Sequence, residues 1–414
     1  MPYLVAANTN QLMSLSQNLV AGFTVAVLSV TSVFAQTVAF KTDKALLSSI
    51  NMQYKQAAEQ YKLQMQRIKP GRFPKTYYAK TDSLETSNSG WWCSGFTPGT
   101  QLYLYKQTKD KALLTDAEKL LGWLTKEQYN KSTHDLGFMM YCSFGNALQI
   151  APKPEYKEIL INSAKSLITR FDPKVGAIKS WDSKKPEYTV IIDNMMNLEL
   201  LFWATRATGD STYYKIAVTH ANTTIKNHFR ADYSSYHVIN YNPETGAVQK
   251  KKTAQGYADE SAWARGQAWG LYGYTVMYRE TKDKKYLDQA NHIASFILNN
   301  PNLPKDKIPY WDFNAPDMPN VLRDASAGAI MASAFLELCR YTDKPIGQTY
   351  FNAAQTMLKS LSAAPYKAPQ GTNGGFILEH SVGHKPAGTE IDVPLTYADY
   401  YFIEALMRYQ QFGK

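Results

Sequence analysis

The chain has 414 residues, 44% of them hydrophobic, enough for one large core or two ordinary ones. A net charge of +10 favours anionic partners, yet the basic residues are dispersed apart from Lys250, Lys251 and Lys252. No helix-turn-helix, zinc-finger or RNA-binding signature occurs, so no nucleic-acid partner is expected.

Cys93, Cys142 and Cys339 fit no disulfide or zinc framework. The seven histidines are scattered without an H-E-x-x-H pattern, which predicts no catalytic metal and no cofactor. The 29 Tyr, 17 Phe and 8 Trp suit a cleft that stacks on sugars, and equally suit plain packing.

In chain order, the first 36 residues carry no charged side chain. Leu19–Val33 is an apolar run of signal-peptide length, and Val33-Phe34-Ala35 resembles a small-residue cleavage site. The run is short for a membrane span. No Lys or Arg precedes it, and Met13 is an alternative start. The expectation is a signal peptide over 1–35, export to the periplasm, and a single domain over 36–414 with no membrane partner once the leader is removed. A disordered or anchored amino terminus is the alternative.

A phrase then recurs. Thr108 and Asp110, Thr208 and Asp210, Thr281 and Asp283, and Thr342 with Asp343 each separate two helical patterns, with a weaker copy at Ala151–Glu155. Thr-x-Asp is turn and N-cap chemistry, because the side-chain oxygens take orphan N–H groups of the next helix. Counting outward gives six helices rich in aromatic and small residues, near 94–106, 136–150, 193–207, 261–280, 324–341 and 394–410. Six more amphipathic ones fall near 45–67, 110–125, 153–170, 211–229, 283–299 and 345–363. A helix apolar nearly all round is buried and an amphipathic one covers it. Six inner and six outer helices in alternation predict an all-α (α/α)6 barrel, with a hairpin of Tyr236–Tyr241 and Ala247–Lys251.

The loops leading into the inner helices would share one face. They hold Trp91, Trp92, His134, Asp135, Asp193, Gln255, Asp259, Glu260, Arg265, Trp311, Asp312, Asp324, His380, Ser381, His384, Lys385, Glu390 and Asp392. One Asp at a helix start is explained by capping and the helix dipole; convergence of several such loops predicts a cleft. Asp193 and Asp135, in an aromatic pocket, would be driven apart in pKa by burial and mutual repulsion, leaving one as acid and one ionised. Arg265 and Trp269, four apart, face one way and read as an anion clamp with a stacking platform, or as a structural pair.

The runs Asp135-Leu136-Gly137-Phe138, Asp193-Asn194-Met195-Met196-Asn197-Leu198, Gly256–Trp269 and Tyr397-Ala398-Asp399-Tyr400-Tyr401 resemble the unsaturated glucuronyl hydrolases of glycoside hydrolase family 88. The resemblance spans about Trp91 to Tyr409 and implies an (α/α)6 barrel without a metal. It implies removal of the 4,5-unsaturated uronic acid left at the non-reducing end by polysaccharide lyases. Length, basic balance and leader point within the family to heparin and heparan fragments. By resemblance, Asp193 is the general acid/base and Asp135 its partner, while His237, Gln255, Arg265 and Trp269 contact substrate. Trp91 joins them as an aromatic at the first loop. Ser381 and Lys385 stand where some members carry a sulfate-handling Ser/Lys loop, here interrupted by His384.

The expected ligands are therefore unsaturated glycosaminoglycan di- and oligosaccharides, taken up by a monomer. Two rivals stand beside this reading: an unsaturated rhamnogalacturonyl hydrolase acting on pectin fragments, and a non-catalytic binder of anionic glycans. A sugar epimerase is disfavoured, since no pair of catalytic histidines lies on inner-helix faces.

Overall fold

The structure is a computed structural model that describes residues 40–183 and 186–413. The signal peptide and cleavage site expected over 1–35 lie outside the described residues.

Twelve α-helices follow one another among the described residues: α1 (Lys44–Gln66), α2 (Phe96–Thr108), α3 (Lys111–Leu124), α4 (Asn146–Ile150), α5 (Pro154–Ile168), α6 (Leu198–Thr208), α7 (Ser211–His228), α8 (Ala264–Thr281), α9 (Lys284–Asn299), α10 (Ala325–Leu338), α11 (Lys344–Leu361) and α12 (Thr396–Gln410). The even-numbered helices pack in a closed ring, each against the next, with α12 returning to α2. The short α4 completes its place through a π-helical stretch, Gly137–Gly145, that runs into it. The odd-numbered helices form the outer layer, α1 covering α2 and α12. This is the (α/α)6 barrel expected from the sequence.

Burial explains the layering. Every residue of α10 is buried. Its Ala325, Ala327, Gly328, Ala329, Ala332 and Ala334 let α8 and α12 approach closely on either side. Helix α9 buries only Tyr286, Gln289, Ala290, Ile293, Ala294 and Ile297, the one-sided stripe of a covering helix.

The recurring Thr-x-Asp phrase builds the corners. Thr108, Thr208 and Thr281 each donate to the carbonyl four residues back, at 2.8, 2.7 and 2.7 Å. Lys109, Gly209 and Lys282 then turn the chain at φ 62°, 78° and 58°. Asp110, Asp210 and Asp283 start the next helices by accepting from Ala112, Thr212 and Lys285 N–H at 3.0, 2.8 and 3.1 Å. The fourth copy differs: Asp343 makes no side-chain cap bond, and Pro345 opens α11 instead.

Among the described residues, nine short strands occupy the connections from outer to inner helices, so they gather at the face where the inner helices begin. They are β1 (Phe73–Tyr78), β2 (Ser83–Ser87), β3 (Phe171–Asp172), β4 (Ala177–Ile178), β5 (Tyr188–Ile191), β6 (Val238–Tyr241), β7 (Val248–Lys252), β8 (Ser381–His384) and β9 (Thr389–Val393). The expected hairpin is β6–β7, and β5 extends it to three antiparallel strands. The pairs β1–β2 and β8–β9 are additional, and β9 packs beside β1.

Candidate active site

Asp193 sits in a 3-10 turn, Ile192–Asn197, that leads from β5 into α6. It does not cap: no side-chain cap bond is made there. It is 8% exposed, and its Oδ2 has no hydrogen-bond partner. Burial lifts its pKa from 3.8 to about 7; Arg265 opposes the rise, Asp135 adds to it, and the Trp269 indole pulls it down. A carboxylic acid that holds its proton near neutrality is equipped to donate it.

Asp135 stands on the adjoining loop, just before the π-helical stretch. Its Oδ2 accepts from Thr133 Oγ1 at 3.0 Å, and Oδ1 lies 3.4 Å from His134 Nε2. The two carboxylate-bearing segments touch through their backbones. Phe138 N–H donates to Asn197 Oδ1 at 3.0 Å, and a Cβ on Gly137 would fall 2.4 Å from Asn197 Cα. Only glycine allows that approach, which fixes Asp135 relative to Asp193.

His237, just ahead of β6, faces Asp193 with Nε2 3.7 Å from Oδ2. Its Nδ1 accepts from the N–H groups of Ala254 and Gln255, both at 3.2 Å, so the ring proton belongs on Nε2. Burial first, then the Arg265 charge, hold its pKa well below 6.5, and the ring is neutral. Neither Nε2 nor Asp193 Oδ2 has a hydrogen-bond partner. Unmatched buried polar atoms cost about 1–3 kcal/mol each, and a facing pair aimed at a cavity marks where ligand atoms are received.

Gln255 lines the same cavity, its Nε2 donating to Gly383 O at 3.0 Å. Arg265 lies between the Trp263 and Tyr397 rings, 4.4 and 5.3 Å from their centres. It pairs with Asp324 at 3.2 Å and donates to Val382 O and Gly383 O. The guanidinium is thus largely engaged in holding β8, while its charge remains at the cavity wall.

The cavity measures about 400 Å3, and its lining includes Asp135, Asp193, His134, Gln255, Arg265, Tyr397, Trp91, Trp181, Lys75, His384 and Glu390. Of the expected site residues, Asp193, Asp135, Gln255, Arg265 and Trp91 meet here, with His237 behind Asp193. Three others are placed differently. Trp269 is fully buried among Phe138, Tyr397 and Tyr401, so it offers a ligand no ring face and is no stacking platform. Ser381 is fully buried in β8, and Lys385 lies over the Trp311 ring at 5.6 Å; neither lines the cavity. The β8–β9 hairpin reaches the cavity through Gly383, His384, Thr389 and Glu390 instead.

The exposed rings are Trp91, at 43%, and Trp181, at 38%. Trp181 and Lys75 are not among the residues expected from the sequence, and Glu390 is expected there only as one polar residue of the last loop. The connections carrying Lys75 and Trp181 show no helical period, and their short strands give little signal. Among the described residues, no group of three or more His, Cys, Asp or Glu side chains is arranged to hold a metal ion.

Residues 64–414 match the family described as Glycosyl Hydrolase Family 88. A relative from Formosa agariphila named unsaturated glucuronyl hydrolase is 44% identical over 374 residues, 89% of this chain and 93% of its own. An unsaturated chondroitin disaccharide hydrolase of Streptococcus pneumoniae is 37% identical, covering 77% of this chain and 81% of its own. A solved structure described as an unsaturated glucuronyl hydrolase specific for heparin superposes with a TM-score of 0.85 at 47% identity, over 88% of this chain and 98% of its own.

Proposed function

This chain belongs to the unsaturated glucuronyl hydrolases of glycoside hydrolase family 88, and on that premise we propose that it removes the 4,5-unsaturated uronic acid from lyase-generated heparin and heparan disaccharides. The similarity to a heparin-specific structure supports that substrate class. The observation that carries the chemistry is Asp193, buried, unbonded at Oδ2 and raised to about 7.

The reacting group is an enol ether. Protonated Asp193 donates to C4, and the ring oxygen stabilises the positive charge that develops at C5. Water adds at C5 and returns its proton to the Asp193 carboxylate, so the acid is regenerated. The C5 hemiketal opens to a ketone, and the hemiacetal left at C1 releases the second sugar as its alcohol. His237, neutral and carrying its proton on Nε2, donates a hydrogen bond on the Asp193 side. Asp135, fixed by the Gly137–Asn197 contact, orients the water. Trp91 and Trp181 flank the sugars. The inner-helix N-termini on this face favour the substrate carboxylate.

Loss of the double-bond absorbance on heparin, chondroitin, hyaluronan and pectin-type unsaturated disaccharides tests this reading, with Asp193→Asn in parallel. Fastest loss on heparin-type products, abolished in the variant, is the expected result. Full activity in Asp193→Asn would overturn the acid, and loss confined to pectin fragments would overturn the substrate class.

Export with cleavage after Ala35, and action as a monomer in the periplasm, belong to the same proposal. Amino-terminal sequencing of the cell-envelope protein and its sedimentation test both. No helix among the described residues is long and apolar enough to cross a membrane.

A further inference from the structure

The chain carries a net charge of +10, but its cavity is not basic. Among the described residues, the lining holds two permanent cations, Lys75 and Arg265. Each is already matched. Arg265 meets Asp324 at 3.2 Å, and Lys75 meets Glu85 at 2.7 Å and Glu390 at 3.4 Å. His134 and His384 have pKa values lowered, first by burial, and add no charge at neutral pH.

Glu390 is built into this wall. Its φ of 54° is left-handed, a conformation a non-glycine residue adopts only when its surroundings demand it. The β8–β9 register places Glu390 opposite Gly383, between the pairs Val382–Ile391 and His384–Thr389, and the Glu390 side chain crosses Gly383. A Cβ on Gly383 would fall 2.5 Å from both Glu390 Cβ and Oε2. The Glu390 side chain is 13% exposed, and Lys75 hydrogen-bonds Glu85 rather than Glu390. The Glu390 carboxylate therefore keeps acceptor capacity for a ligand. It lines the same cavity as Asp193, from the β8–β9 hairpin rather than from the loops that carry the two aspartates.

We propose that Glu390 selects the leaving sugar: its carboxylate accepts a hydrogen bond from a hydroxyl of that sugar and rejects a sulfate ester at the same position. The inference rests on the hydrolase reading above. Two anions brought together in a partly desolvated wall repel, whereas a hydroxyl donating to a carboxylate is a strong hydrogen bond. The cation positioned to offset a sulfate, Lys75, is already shared by two carboxylates. A fragment sulfated there would need a sulfate-ester hydrolysis before this enzyme could act on it.

The test is the ratio of kcat/KM on unsulfated disaccharides to that on disaccharides carrying a single sulfate ester on the leaving sugar, either at its 6-hydroxyl or at its 3-hydroxyl. The wild type should prefer the unsulfated substrate by at least about tenfold at one position. Glu390→Gln should bring that ratio towards unity by raising turnover of the sulfated substrate, and Lys75→Gln should widen it. A wild type that prefers the sulfated compounds, or a Glu390→Gln ratio unchanged at both positions, overturns the proposal. Should Glu390→Gln not fold, a Lys75→Gln ratio that fails to widen overturns it alone. Wild-type turnover of the unsulfated substrate, lost in Asp193→Asn, reports the hydrolase reading separately. Without that turnover both readings fall; with turnover and an unmoved ratio only this one does.

Discussion

Asp193→Asn should stabilise the protein, and do so increasingly as pH rises. The folded carboxyl is raised from 3.8 to about 7, chiefly by burial. Between those values the native state holds a proton that the unfolded chain has released, so stability falls as pH climbs through the window and stays low above it. Asp193 is 8% exposed, so solvent screens little of this, and a shift of about three units corresponds to about 4 kcal/mol. Asparagine does not titrate. The variant should exceed the parent by up to about 4 kcal/mol near pH 8, and by only about 1–2 kcal/mol near pH 5. In a domain of this size, the larger value is an upward shift in Tm of roughly 3–6 °C. Calorimetric scans of both proteins at one scan rate and two pH values measure it, and the difference between pH values cancels any packing change from the amide itself. Equal shifts at both pH values, or a variant less stable than the parent near pH 8, would mean that Asp193 is ionised at neutrality and is not the proton donor.

The same protonation governs turnover. kcat/KM should fall about tenfold per pH unit above about 7, followed through the double-bond absorbance. In Asp135→Asn the Asp193 titration, followed by carboxyl NMR, should move to lower pH, because the Asp135 charge contributes to the rise; an unmoved titration would separate the two groups. Trp181→Ala should raise KM several-fold with most of kcat retained, since its ring is 38% exposed in the cavity and carries no group that transfers a proton; a loss confined to kcat would contradict the flanking role. Asp283→Ala removes the cap on Lys285 N–H and should cost about 1 kcal/mol in urea unfolding, with activity unchanged.

The ring of helices was legible because its corners repeat. Thr208, Gly209 and Asp210 stop one helix and start the next with three local hydrogen bonds, and that chemistry shows in sequence without any tertiary context. The floor of the site was legible for a related reason: the loops leading into inner helices must converge, so Asp135, Asp193, Gln255 and Arg265 fall together once the barrel is drawn. Direction was not legible. Arg265 and Trp269 share a helix face, yet that face turns the indole into the core beside Phe138 and Tyr401 and leaves only the guanidinium at the wall. The walls were hidden as well. Lys75 sits on a six-residue strand, and Glu390, visible in sequence only as one polar residue of the last loop, reaches the cavity through a left-handed backbone that no residue pattern announces.

Asp193, the proposed acid, also differs from the structural carboxylates that stand at helix starts. Asp324 accepts from Ser326 and Ala327 N–H at 3.0 and 3.4 Å, and Asp399 from Ile377 and Leu378 N–H at 2.9 Å each. Both are answered by backbone N–H groups, Asp324 as the cap of its own helix and Asp399 by a segment 21–22 residues earlier. Asp193 and Asp399 are both lifted to about 7 by burial, so the raised pKa alone does not tell them apart. The difference is the vacancy in hydrogen bonding. Asp399 has both oxygens engaged and lines no part of the active-site cavity, whereas Asp193 Oδ2 and His237 Nε2 face each other at 3.7 Å with neither bonded. An unbonded carboxyl oxygen at a cavity wall is where a ligand can complete the bonding, and that position beside Asp135, more than acidity, singles out Asp193 for the proposed role.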